Sequence, residues 1–212
     1  MRQDIIQDWA AANHITISNE QFEQLAAFQQ MVLDTNAKMN LTRITDDTEF
    51  AIKHIIDSMT LLPYIPQQST VLDIGTGVGF PGVVLGIMRP DIQLSLLDSL
   101  KKRVQFLESS LDKLGIHAEC IPVRAEEWAR TGAQYEICTA RAVAKMDKLV
   151  KYTLPLIRTG GSLLAMKGPD VTEELDLAKK SLTKLGGVIK NIDLIRLTDE
   201  ITHSIIIIEK HF

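Results

Sequence analysis

The chain has 212 residues, 45% of them apolar and 24% charged, with a formal net charge of −4. That length suits one sizeable α/β domain plus an appendage rather than two full domains, and the balance excludes recognition of a polyanion by a whole-protein positive field. Charge is unevenly spread: residues 1–68 hold 4 Lys/Arg against 9 Asp/Glu, and residues 69–212 hold 19 against 18, so a nucleic-acid site must be a local basic patch.

No window approaches the roughly 18 apolar residues of a membrane span, and the opening Met-Arg-Gln-Asp lacks a signal-peptide core, so a cytoplasmic protein without membrane contact is expected. Cys120 and Cys138 lie in apolar, strand-like stretches far from any metal-ligand spacing. They read as reduced core thiols, and no metal site is expected.

In chain order, the first 68 residues are helical in pattern. Phe22, Leu25, Phe28 and Val32 recur at steps of three and four behind Ser18, a candidate N-cap. A second amphipathic stretch runs from Phe50 to Leu62, with Ile52, Ile55, Ile56, Met59 and Leu62 on one side, ended by Pro63 and Pro66. We therefore divide the chain into a helical N-terminal extension, 1–68, and a larger domain, 69–212.

From Thr70 onward, short apolar runs alternate with helical segments. Val71–Ile74, Leu94–Leu97, Ala118–Ile121, Glu136–Ala140 and Ser162–Met166 are strand candidates, and the alternation implies a mostly parallel sheet covered on both faces. Val188–Leu197 and His203–Lys210, joined by Thr198-Asp-Glu-Ile-Thr202, predict an antiparallel hairpin at one edge. The expected class is α/β and Rossmann-like.

The first strand runs into Gly75-Thr-Gly-Val-Gly-Phe-Pro-Gly82. Gly75, Gly77 and Gly79 permit positive φ and a close approach of ligand to backbone, and Pro81 suits a first helical turn. The loop sits at the carboxyl end of a strand, where open α/β sheets bind ligands. Gly77-Val-Gly-Phe-Pro-Gly82 formally matches the dinucleotide fingerprint, but that match alone is weak. Asp73 argues against NAD, because a carboxylate there repels a pyrophosphate; it can instead orient the cationic methionine end of S-adenosylmethionine. The terminal hairpin after five βα-type strands points the same way. Asp98, ending the second strand, can accept both ribose hydroxyl protons in either cofactor class, and can also cap the next helix. In a methyltransferase sheet the loop Arg124-Ala-Glu-Glu127 lies beside the adenine, so Ala125 and Glu126 can bind its edge; taken alone, Glu126 reads as a solvated carboxylate at a helix start.

Seven blocks in order carry a more specific signal: Asn40-Leu-Thr42, His54-Ile-Ile-Asp-Ser58, Leu72 to Gly82, Leu97 to Leu107, Arg124 to Glu127, Thr139-Ala-Arg-Ala-Val-Ala144 and Ala165-Met-Lys-Gly168. Together they resemble the small-subunit ribosomal RNA methyltransferase G family, also called GidB. The resemblance implies a class I methyltransferase fold and methylation of guanosine N7 in 16S ribosomal RNA. It further implies S-adenosylmethionine as cofactor, with contacts at Gly75, Phe80, Ala125, Glu126 and Arg141, and the RNA or the small ribosomal subunit as partner. Thr76 stands where the family most often has serine.

Guanine N7 has an in-plane lone pair and no proton, so no general base and no catalytic residue in the strict sense are expected; alignment supplies the rate. Arg141 and Lys167, at the rim of the crevice, are candidates for orienting substrate, although Arg141 can equally form an ion pair with Asp73 or Asp98. Lys101, Lys102 and Arg103 open one helix, and Lys145, Lys148 and Lys151 recur at steps of three along a face expected to continue from Arg141. Both clusters are candidate RNA contacts, against the alternative of a solvated lysine face. His54 is left between a bond to Asp57 or Ser58 and an approach to substrate. The chain is expected to act as a monomer. The competing readings are a methyltransferase for a small molecule or protein, an NAD-dependent oxidoreductase, and a non-catalytic nucleoside-binding module.

Overall fold

In the computed structural model, residues 1–39 and 42–212 are described, Lys38 and Met39 by backbone only. Asn40 and Leu41, from the first of the seven blocks, lie outside the described residues.

Among the described residues seven strands form one sheet: β1 Thr70–Ile74, β2 Gln93–Leu97, β3 Ala118–Ile121, β4 Tyr135–Arg141, β5 Ile157–Lys167, β6 Gly187–Arg196 and β7 Thr202–Lys210. Their order is β3-β2-β1-β4-β5-β7-β6. The first five are parallel. β7 runs antiparallel between β5 and β6, as the hairpin pattern required. The expected strands recur nearly in place, except that β5 begins well before Ser162, passing through Gly160 at φ +78°. Its start at Ile157 pairs with Tyr135, and β5 then bulges so that Ser162 faces Ile137. The central strands are apolar on both faces because helices cover both.

Six helical pieces, α1 Gln3–Ala12, α2 Asn19–Met39, α3 Asp47–Phe50, α4 Asp57–Met59, α5 Gly82–Met88 and α6 Lys101–Leu114, pack on one face with Val71, Leu94, Leu96, Ile137, Leu164 and Ile205. On the other face, α7 Ala125–Trp128, α8 Met146–Thr153 and α9 Thr172–Lys184 cover Leu72, Ile74, Cys138, Ala140 and Leu163. The N-terminal helices therefore share one core with the sheet. Cys138 is fully buried and Cys120 half-buried, both as free thiols.

Ser18 caps α2 as expected, its Oγ accepting from Gln21 N–H at 3.1 Å while Gln21 Oε1 accepts from Ser18 N–H at 2.9 Å, a reciprocal capping box. The amphipathic stretch beginning at Phe50 is not a plain α-helix. α3 and α4 are joined through a π-helical segment, Ala51–Ile56, which holds His54 and delivers Asp57. Such π segments are rare and often accompany functional sites.

Candidate active site

The glycine loop is built from β1 outward. Gly75, Gly77 and Gly79 all take positive φ, at +65°, +63° and +105°. A side chain at Gly79 would meet Val83 Cγ2 at 2.5 Å and Phe28 Cζ at 2.9 Å, so glycine is required by packing as well as by backbone conformation. Pro81 precedes α5 as its N-cap, one residue ahead of the helical turn anticipated for it.

Asp73 lies under this loop rather than in the crevice. Its fully buried carboxylate accepts from Gly82 N–H at 2.9 Å and from Thr139 Oγ–H at 2.8 Å, tying β1, the start of α5 and β4 together. Burial pushes its carboxyl up to about 6. Asp73 thus shapes the loop, and its side chain is in no position to touch the cationic end of a ligand directly.

Above the carboxyl ends of β1, β2 and β4 opens a crevice of about 770 Å³, within the range of small-molecule sites. Gly75, Asp98, Ala125 and Glu126 line it, joined by Arg103, Lys145 and Lys148. Asp98 is the organiser. Its Oδ1 accepts from Leu100 N–H at 2.8 Å, and its Oδ2 accepts from Gly77 N–H at 3.1 Å and lies 3.3 Å from Arg103 Nη1. It is not the N-cap of α6, which begins after Leu100; it holds the turn before that helix. Each carboxylate oxygen carries two lone pairs, so one remains on Oδ1 for a ligand hydroxyl, and a second hydroxyl would displace Arg103 from Oδ2.

Arg141 closes β4, but its side chain turns from this crevice into a second network. It donates through Nη1 to Lys53 O at 2.8 Å and to Asp57 Oδ2 at 2.7 Å, and its Nη2 lies 3.2 Å from His54 Nδ1. Its ion-pair partner is therefore Asp57, not Asp73 or Asp98, because the π-helical segment brings the N-terminal helices over the end of β4. A guanidinium only donates, so His54 Nδ1 must accept and Nε2 carries the proton, which it directs to Thr42 Oγ1 at 3.1 Å. Burial first, then the Arg141 charge, push the imidazole down to about 3, so it is neutral. Of the alternatives left open for His54, the side-chain bond to Asp57 or Ser58 is not made. Ser58 Oγ instead donates to the His54 carbonyl at 2.6 Å.

Phe80 is 3% exposed. Its ring packs against Phe28, Phe50 and His54 and lies under Arg141, whose guanidinium carbon is 5.6 Å from the ring centre. The side chain supports the loop from below rather than lining the crevice.

The basic residues separate on inspection. Lys101, Lys102 and Lys151 are exposed and outside the crevice lining, whereas Lys145 and Lys148 stand on its wall. No helical face continues from Arg141: Ala142 takes φ +56°, and Lys145 is the N-cap of α8. Lys167 donates to Ala144 O at 2.6 Å and Glu174 Oε2 at 2.7 Å. Among the described residues no group of three or more His, Cys, Asp or Glu is placed to hold a metal ion, and no helix is long and apolar enough to cross a membrane.

A glycine-looped crevice at the carboxyl ends of a β3-β2-β1-β4-β5-β7-β6 sheet narrows the fold to few families, and comparison with known proteins decides among them. The family described as rRNA small subunit methyltransferase G, GidB, matches residues 21–202. The chain belongs to the GidB family. Ribosomal RNA small subunit methyltransferase G of Clostridium novyi (strain NT) is 39% identical over 214 residues, covering 98% of this chain and 88% of the relative. The protein of the same name from Desulfitobacterium hafniense (strain Y51) is 40% identical over 202 residues, covering 93% and 84%. Solved structures share the fold. A methyltransferase from Pyrococcus furiosus superposes with a TM-score of 0.61 at 12% identity, covering 90% of this chain and 99% of that one. M. jannaschii TYW2 in complex with AdoMet gives 0.59 at 11% identity, covering 74% and 76%.

This GidB member is an S-adenosylmethionine-dependent methyltransferase, and its residues fit that cofactor. Asp98 offers a carboxylate with free acceptor capacity at the end of β2, and Ala125 and Glu126 flank the same crevice. Gly75 is held so close to Val143 that a Cβ there would come within 2.8 Å of Cγ2, which leaves bare backbone on the ligand side.

Sequence reasoning missed Asp57 and His203 as site residues. They come from α4 and β7, far apart in sequence, and meet with His203 Nδ1 2.5 Å from Asp57 Oδ1. The contact is close, yet the ring nitrogen has no well-directed hydrogen bond. The presence of Asp57 in the block His54-Ile-Ile-Asp-Ser58 was the available signal; His203 had none.

Proposed function

We propose that this chain transfers a methyl group from S-adenosylmethionine to N7 of a guanosine in 16S ribosomal RNA. The observation that carries the reading is the Asp98-organised crevice at the carboxyl ends of β1, β2 and β4, in a chain of the GidB family. When bound, the cofactor supplies a sulfonium methyl, and the lone pair of guanine N7 forms the new N–C bond as the S–C bond breaks, so no proton has to be removed.

The work left to the protein is binding and alignment. Asp98 holds the ribose diol while its bonds to Gly77 and Leu100 N–H fix the two turns that flank the crevice. Ala125 and Glu126 flank the adenine, and Gly75 brings the loop backbone close. Asp73 and Phe80 act from beneath, keeping the loop in register with β4 and the N-terminal helices. Residues 1–68 serve as an extension that roofs the acceptor side, since they supply Asp57 and His54 to the end of β4.

Lys145 and Lys148 on the crevice wall, with exposed Lys101, Lys102 and Lys151, supply the local basic surface for RNA phosphates that the acidic whole cannot provide. We place the protein in the cytoplasm with the small ribosomal subunit or its RNA, acting as a monomer because one chain carries every residue named here.

The test is calorimetric titration with S-adenosylmethionine and with NAD, followed by incubation with methyl-labelled cofactor and small subunits from an unmodified strain. The proposal expects affinity for S-adenosylmethionine and label in 16S RNA. Tight NAD binding without S-adenosylmethionine affinity, or label in protein alone, overturns it.

A further inference from the structure

Beside the large crevice lies a smaller cavity of about 260 Å³, lined by Asp57, Arg141, Ala142, Met166, Lys167, Gly168 and His203. The two cavities share Ala142, the residue held at φ +56° between the end of β4 and the wall of the crevice. A left-handed alanine is uncommon, and strained backbone of this kind gathers at ligand sites. The crevice and the cavity are therefore two rooms with one common wall, both at the carboxyl ends of the strands.

The small cavity has a particular chemistry. The Asp57 carboxylate is held by Arg141 on Oδ2 and lies against His203 on Oδ1. The four charged or ionisable side chains keep a little exposure, 11% for Asp57, 19% for Arg141, 12% for Lys167 and 10% for His203. Both permanent cations are already partnered: Arg141 by Asp57, Lys53 O and His54, and Lys167 by Glu174 and Ala144 O. An anion would have to displace those partners, so the cavity is not built for a phosphate or for the carboxylate of the cofactor. What remains free is complementary to a neutral base. Asp57 has two oxygens with spare lone pairs, and the Lys167 ammonium uses two of its three protons.

We propose that this cavity seats the target guanine, with Asp57 accepting from its N1–H and 2-amino group and Lys167 donating to O6. This rests on the guanosine-N7 reading above. Guanine places two donors and one acceptor side by side on its Watson–Crick edge, whereas adenine has no proton at N1 and presents no such donor pair to a carboxylate. Enzymes that act on a base take it from its stack into a close-fitting pocket and read that edge. Met166 and Ala142 supply the apolar walls for the ring. With the Watson–Crick edge held by Asp57 and Lys167, N7 on the adjoining Hoogsteen edge, beside O6, stays free of those contacts and open to methylation. N7-methylation makes the purine cationic, and a carboxylate on N1–H stabilises the charge that develops.

The experiment compares small subunits reconstituted with guanosine or with inosine at the methylated position, using the wild type and Asp57→Asn. Inosine keeps N7, N1–H and O6 and lacks only the 2-amino group. The wild type is expected to favour guanosine by about 10-fold or more in kcat/KM, the effect of removing one hydrogen bond to a charged group. Asp57→Asn is expected to lower kcat/KM on guanosine by about 100-fold, to reduce the preference over inosine to near unity, and to leave S-adenosylmethionine affinity unchanged. Equal rates on guanosine and inosine with the wild type overturn the assignment, and so does a variant that loses cofactor affinity instead. If Asp57→Asn does not fold, Lys167→Met decides: an unchanged kcat/KM on guanosine overturns the assignment. Failure of the wild type to methylate any subunit RNA is a separate result, which overturns the guanosine-N7 reading itself.

Discussion

The imidazole of His54 lies flat on the ring of Phe80, with centroids 4.4 Å apart and planes 5° apart. One residue belongs to the helical N-terminus and the other to the glycine loop, so the stack couples the roof of the site to its floor. Arg141 completes the arrangement by bonding His54 while lying over Phe80. Phe28 and Phe50 enclose the ring from the other sides. Truncating Phe80 to alanine should cost about 3–5 kcal/mol of stability, the range for a buried aromatic, measured by urea unfolding. Phe80→Leu should cost less. A near-neutral Phe80→Ala would mean that the loop does not depend on this packing.

Asp98 anchors Gly77 and Leu100 N–H, and the proposed function makes it a ligand for the cofactor as well. Asp98→Ala should raise the dissociation constant for S-adenosylmethionine by about 10- to 100-fold, the loss of one to two charge-assisted hydrogen bonds. Asp98→Asn keeps an acceptor and should fall between wild type and alanine. Isothermal titration at fixed ionic strength reads both.

The exposed lysines should affect RNA and not the cofactor. Replacing Lys101 and Lys102 together by alanine should weaken binding to small subunits. It should also reduce the slope of log affinity against log salt by about 1 for each phosphate that is no longer neutralised. The same double substitution should leave S-adenosylmethionine affinity unaltered, since neither residue lines the crevice. An unchanged salt slope would assign these lysines to a solvated face.

Two buried groups pull stability in opposite directions as pH changes. Burial raises Asp73 from its ordinary 3.8 to about 6, so its contribution is fully present below 3.8 and is lost as pH rises through about 6. Burial, then the Arg141 charge, lower His54 from 6.5 to about 3, so its contribution is fully present above 6.5 and is lost as pH falls toward 3. In the overlap, about pH 4 to 6, the two slopes oppose each other. Asp73→Asn should therefore make stability rise more steeply with pH across that window, and His54→Gln should flatten or invert the rise. Chemical denaturation at several pH values distinguishes the two slopes.

The sheet was legible because its signals are local. Apolar runs such as Val71–Ile74 and Leu94–Leu97, punctuated by Gly75 and Asp98, fix strand, turn and helix without long-range information. The terminal hairpin announced itself through the polar turn before His203. The half of the site that follows directly from a strand end was equally readable: Gly75, Asp98, Ala125 and Glu126 all line the crevice. What the sequence hid is set by tertiary contact. Nothing in the residues around Asp73 says that Gly82 N–H and Thr139 will occupy both its oxygens. Nothing local says that a π-helical turn will bring Asp57 to Arg141, a pairing 84 residues apart. Phe80 followed the same rule, since an aromatic beside a glycine loop suits either a ligand or a core, and three rings from the N-terminal helices decided for the core.

The central claim is methylation of guanosine N7 in 16S ribosomal RNA, and borohydride–aniline cleavage tests it most directly, because it cuts RNA only where a 7-methylguanosine has lost its aromatic ring character. Small subunits from an unmodified strain, incubated with this protein and S-adenosylmethionine, should yield 16S RNA that is cleaved at a single new position, with no cleavage when the cofactor is omitted. Methyl label entering 16S RNA without any new cleavage would place the methyl on another atom and contradict the account.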